Sequence, residues 1–242
     1  MRAGEITVGW IPMPKIGSWG SRNKCKEEIM LDLQKLAEQF IQDRPQSFNA
    51  NFPGDEPAIR AISITSGNSA DREKSLLAWL HGYKVLRSFT PEISQKIAEQ
   101  IIEYADNREQ MTLNQNKDLI IQEYGKLESQ IHRVIPLNPK SRTIREITSL
   151  TSKALWCCYP GDIPILDDHA ERALQVISRI CNLAPDPDQS RFAAFIDVWF
   201  QVYNEITPVI NQANLNSFTY KIRVLDWLLW YLGKLSFDKR KA

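Results

Sequence analysis

Apolar residues recur every three or four positions along most of this chain, the spacing that gathers them onto one stripe of an α-helix. Ile29, Leu33, Leu36, Ala37 and Phe40 form the first stripe, and Leu76, Trp79, Leu80 and Tyr83 another. Thr90-Pro91-Glu92 then gives a strong helix start: a capping hydroxyl, proline at the first helical position, and an acid near the positive end of the dipole. Ile93, Ile97, Ala98, Ile101 and Ala105 continue that helix, and Ile120, Tyr124, Leu127, Ile131 and Val134 predict the next. The clearest patterns come last: Ala173, Val176, Ile177, Ile180 and Cys181; then Phe192, Phe195, Ile196, Trp199, Tyr203 and Ile206; then Ile222, Leu225, Leu228, Leu229 and Leu232. The expected fold is mostly α, with roughly eight or more helices.

Two segments depart from that period. Ile6-Thr7-Val8-Gly9-Trp10 alternates apolar and polar, compatible with a short N-terminal strand or arm, and the stretch around Ile59, Ile62 and Ile64 is compatible with a strand. Ser47 to Pro57 reads as a loop rich in Asn, Pro and Gly. Asp106 to Asn116 is polar and is the best boundary in the chain. It divides an N-terminal helical region, 1–110, from a second helical region, 111–242, and the two can also form one continuous domain.

Composition narrows the setting. The chain has 242 residues, 30 Lys+Arg against 29 Asp+Glu, a net charge of +1 and ordinary apolar content, so it is expected to be globular rather than fibrous or broadly basic. No window is long and apolar enough to span a membrane. No apolar stretch of the secretory type follows Met1 to Glu5, so a cytoplasmic setting is expected. Cys25, Cys157, Cys158 and Cys181 form no C-x-x-C pair and have no histidine at ligand spacing. Buried reduced thiols are expected, with no metal and no cofactor.

The chemistry concentrates between Arg142 and Leu174. The pattern predicts a helix ending near Thr148, a turn at Ser149-Leu150-Thr151, a second helix from Ser152-Lys153, and a third opened by Asp167 and Asp168. One lysine thus stands at a helix start and two carboxylates at the next. Helix-terminal amides and burial both disfavour an ammonium, which frees the amine as a nucleophile. A carboxylate at the following helix start can support positive charge developing on a sugar ring. From Arg133 to Lys153 five cations stand against one acid, Glu146, which suits a polyanionic partner.

Ser152-Lys153-Ala154-Leu155-Trp156, then Tyr159-Pro160, then Ile163-Pro164-Ile165-Leu166-Asp167 resembles the S-K-x-L-x-F-x-x-P…F-P-I-Y-D-S-R pattern of bacterial proteins with the 8-oxoguanine DNA glycosylase (OGG) fold, in the helix-hairpin-helix glycosylase superfamily. A second likeness lies at 221–233, where Arg223, Asp226, Trp230 and Gly233 fall on that group's R-x-L-D-x-x-L-W-x-x-G ending. The two motifs cover roughly the last hundred residues. The resemblance implies an all-helical fold with a hairpin that binds the DNA backbone, and a lysine that attacks C1′ of an extruded nucleotide and forms a Schiff base. It also implies an assisting aspartate. Carried over, Lys153 is the nucleophile and Asp167 the aspartate, with Asp168 able to fill the same role. Such an enzyme acts as a glycosylase with possible strand cleavage, in base repair or in antiviral defence. Arg142, Arg145, Thr151, Ser152 and His169 become the nucleic-acid contacts, and Trp156, Trp227 and Trp230 the base pocket. The hairpin departs from the family in lacking glycine.

Plainer readings stand beside these. Lys153 can be a solvated lysine, Asp168 and Glu171 a capping box, Arg223 and Asp226 a pair on one helix face, and the tryptophans core. Two other functions remain: a nucleic-acid-binding module on the same fold without catalysis, and a helical adaptor for a protein partner. The N-terminal half could also recruit a protein partner.

Overall fold

The computed structural model describes residues 26–43, 55–63, 68–108, 113–137, 143, 145–183, 185, 188–212 and 220–238. The apolar stripes form nine helices among these residues, and no strand occurs there. They are α1 (Lys26–Asp43), α2 (Asp55–Ser63), α3 (Ser69–Gly82), α4 (Pro91–Asn107), α5 (Lys117–His132), α6 (Thr148–Cys158), α7 (Asp168–Cys181), α8 (Arg191–Gln212) and α9 (Ile222–Asp238). Their inner faces join one hydrophobic cluster that runs from Met30 in α1 to Leu232 in α9. No helix among the described residues is long and apolar enough to cross a membrane.

The local signals act as their chemistry requires. Thr90 caps α4, its hydroxyl accepting from the Ile93 N–H at 3.3 Å, with Pro91 as the first residue. The region compatible with a strand is instead α2, where Ile59 and Ile62 lie on one buried face. Asp55 and Glu56 in its first turn and Pro57 close behind favour a helix start over a strand. Ile64, the Ile6–Trp10 segment, Cys25 and Arg142 lie outside the described residues.

The expected turn at 149–151 does not form. α6 runs unbroken from Thr148 through Lys153 to Cys158, so Lys153 sits in mid-helix rather than at a start. Serine and threonine usually weaken a helix by offering rival hydrogen bonds. Here tertiary burial decides instead: Leu150, Ala154, Leu155 and Trp156 are all core residues. The chain then passes through Tyr159 to Leu166 into α7.

α7 begins with Asp167, whose carboxylate accepts from the His169 and Ala170 N–H groups at 2.8 and 2.9 Å. It ends at Asn182, in the left-handed region at φ 53°, where the Leu183 N–H closes onto the Ser178 carbonyl. α9 lies along α7, with α3 and the segment after it on the other side of the cleft described next.

Candidate active site

A cleft of about 670 Å³ opens between the segment after α3, the start of α6, the first turn of α7 and the face of α9. That volume suits a small organic ligand or one nucleotide unit. Lys153, Asp167, Asp168, His169, Trp227 and Trp230 all line it, so the structure brings together six of the residues singled out from the sequence.

Lys153 is 2% exposed. Helical side chains lean toward the N-terminus of their helix, and this one does so: Nζ donates to the Ser149 hydroxyl at 2.8 Å. It also donates to the Leu166 carbonyl at 3.0 Å, one residue ahead of Asp167. The Ser149 and Ser152 hydroxyls reach the same carbonyl, at 3.1 and 3.3 Å. Burial pulls the lysine down to about 8, with Asp167 opposing the fall and Arg223 adding to it. The cause is therefore desolvation and a neighbouring cation, not the amides of a helix end.

Asp167, not Asp168, is the cap of α7, so the expected capping box of Asp168 and Glu171 is absent. Asp168 is exposed and faces Arg191 at 3.6 Å. Arg191 also grips Glu171 at 2.5 Å and Glu146 at 2.6 Å, tying the approach to α6 to the first turn of α7. Nothing in the sequence pattern marks Arg191 for that position. Asp167 is half-buried and stands nearer in effect to the lysine.

Beneath the amine lies a buried polar network. The Lys153 nitrogen is 5.6 Å from the centre of the Tyr83 ring. The Tyr83 hydroxyl accepts from Arg223 at 3.1 Å and donates to Asp55 at 3.4 Å. Arg223 pairs with Asp226 at 3.2 Å and approaches Asp55 at 3.8 Å. Asp226 also accepts from the Trp199 indole and from the Ile165 N–H, both at 3.1 Å. Burial opposes the Arg223 charge, but Tyr83, Asp226 and Asp55 hold it firmly protonated. Burial raises the Asp226 carboxyl to about 6 against the pull of Arg223. The sequence marked Arg223 and Asp226 as a pair. Tyr83 carried no signal beyond helical spacing, and Asp55 fell in a segment read as a loop.

The aromatic residues divide. Trp227 and Trp230 are half-buried, line the cleft and meet at 6.4 Å; Trp230 also meets the His169 ring edge-on at 5.8 Å. Trp156 is 0% exposed, stacked on Trp79 at 6.0 Å with Arg223 over its ring, and forms core rather than a base pocket. Thr151 and Ser152 are likewise fully buried, so neither presents a hydroxyl to a phosphate. Arg145 is half-buried beside the cleft and donates to the Ser88 carbonyl at 2.9 Å. Among the described residues no group of three or more His, Cys, Asp or Glu side chains is placed to hold a metal ion. Comparison of the chain with family models, with curated proteins and with solved structures found no match.

Proposed function

We propose that the chain is a DNA glycosylase-like enzyme, working through Lys153 with Asp167 in support. The observation that carries this reading is a buried lysine whose amine is pulled down to about 8, lining a nucleotide-sized cleft together with the carboxylate that opens the next helix. The amine attacks C1′ of the nucleotide sugar, forming a C–N bond as the glycosidic bond breaks and the base leaves with its bonding electrons. The nitrogen then loses a proton and the sugar ring opens, leaving a Schiff base. The Asp167 carboxylate supports the positive charge that builds on the ring during bond breaking. Trp227, Trp230 and His169 offer flat faces against which an extruded base stacks. Base repair and antiviral defence both fit this chemistry. A cytoplasmic setting goes with it, supported by the buried, reduced thiols of Cys157 and Cys158.

Borohydride reduction tests the reading on a panel of damaged and undamaged oligonucleotides. Wild-type protein is expected to give a covalent protein–DNA adduct on at least one substrate, and Lys153→Gln none. Full turnover by Lys153→Gln, or no adduct with any oligonucleotide, would reject it.

A further inference from the structure

We infer that the turn joining α3 to α4, residues 83–90, is the surface that holds nucleic-acid backbone phosphates beside the cleft, with Lys84 and Arg87 as the contacts. This rests on the reading that the cleft takes a nucleotide. The segment expected to bind phosphate, 149–152, is unavailable because it is part of a continuous helix with Thr151 and Ser152 fully buried. A polynucleotide must be held by other groups at the rim.

The 83–90 turn has the required chemistry. Tyr83-Lys84-Val85-Leu86-Arg87-Ser88-Phe89-Thr90 contains two cations and no acid. Both cations are exposed, both line the cleft, and neither forms an ion pair among the described residues. The cleft lining as a whole keeps a cationic excess: Lys84, Arg87, Lys153, Arg172, Arg191 and Arg223 stand against Glu146, Asp167, Asp168 and Asp226.

The turn is also built to hold its shape. Lys84 sits in the left-handed region at φ 59°, a costly conformation for a side-chain-bearing residue. The surrounding bonds enforce it: Lys84 N–H to the His81 carbonyl, Val85 N–H to Leu80, and Phe89 N–H to Leu86. Leu86 is fully buried and anchors the middle. Arg145 clamps the far end by donating to the Ser88 carbonyl and lying 5.4 Å from the centre of the Phe89 ring. Two exposed cationic side chains thus line the cleft from a backbone held in one conformation. Backbone phosphates are the partner such a pair recognises without reading sequence.

Fluorescence anisotropy of a labelled oligonucleotide, titrated across roughly 50 to 200 mM salt, tests the assignment. The proteins compared are wild type, the double variant Lys84→Gln/Arg87→Gln, and Lys153→Gln. Wild type is expected to bind with a linear dependence of log Kd on log salt. The double variant is expected to lose about tenfold or more in affinity at low salt, with the slope reduced by about 0.7–0.9 for each lost phosphate contact. Lys153→Gln is expected to keep the wild-type slope. Both substituted side chains are exposed, so thermal melting of the double variant stays at the wild-type value. An unchanged slope and affinity in the double variant would overturn the inference, as would wild-type binding without salt dependence. Borohydride trapping separates this from the chemistry: a reduced slope with no wild-type adduct leaves the surface standing and removes the glycosylase. An adduct with an unaltered slope does the reverse.

Discussion

Gly233 on α9 lies so close to the first turn of α7 that a Cβ built on it would stand 1.9 Å from the His169 carbonyl oxygen. Backbone cannot yield as a flexible side chain does, so the two helices must separate if any side chain is added. Gly233→Ala is expected to destabilise the fold by about 3 kcal/mol and to displace Asp167 and His169. Urea denaturation and adduct yield would report the two effects. Gly125→Ala in α5 is the control: nothing lies within 4 Å of its Cβ, so it is expected to stabilise by about 0.5–1 kcal/mol. Equal melts for the two variants would show that the contact has no energetic weight.

The lysine predicts a pH profile. With its amine pulled from an ordinary 10.5 to about 8 by burial, the free fraction grows about tenfold per pH unit below 8 and then levels. The rate of adduct formation should follow that curve in single-turnover kinetics. A rate still rising steeply at pH 10 would mean an ordinary exposed lysine. The sign for stability is fixed by the same shift. The folded state resists protonation, so the penalty is full below pH 8 and disappears as pH rises toward 10.5. Relative to Lys153→Met, wild type should gain on the order of 3 kcal/mol across that window in parallel denaturant melts.

Asp167 and Asp168 should separate cleanly. Asparagine caps a helix about as well as aspartate, so Asp167→Asn is expected to keep stability within about 0.5 kcal/mol while removing the charge near the amine. Its trapping rate should fall about 100-fold or more, and Asp168→Asn, at an exposed site beside Arg191, should stay within about threefold of wild type. The reverse order in single-turnover assays would move the supporting role to Asp168.

Arg223 should tune the amine as well as hold the core. Replacing it with methionine strands Asp226 and Asp55 without their buried cation, at an expected cost of about 3–5 kcal/mol. Arg223→Lys keeps the charge and serves where the methionine variant folds poorly. Because Arg223 depresses the Lys153 amine, the methionine variant should level at a higher pH than wild type, and the lysine variant close to it. Identical profiles in all three would confine Arg223 to a structural role.

Much of the helical order was readable from the chain. Thr90-Pro91 announces α4 because capping is local chemistry, and the stripes of α8 and α9 are read directly from apolar spacing. The errors came where tertiary burial overruled local preference. Ser149, Thr151 and Ser152 resemble a turn in isolation, yet Leu166 and the core around Trp156 draw them into a helix. Asp167 was legible as a helix-start acid because capping is local chemistry, whereas Lys153 was read at a helix start and instead owes its burial to packing in mid-helix. Tyr83 and Asp55 were not legible, since they meet Arg223 across 140 and 168 positions of chain and only folding brings them together.

The two acceptors around Lys153 carry one more consequence. The Ser149 hydroxyl spends its own hydrogen on the Leu166 carbonyl, so toward the lysine it can only accept. An uncharged amine has two hydrogens, one for Ser149 and one for Leu166, and its remaining electron pair has no partner in that arrangement. In that uncharged form the nitrogen is oriented by its hydrogens alone, and the pair that makes a bond to carbon is left for a substrate.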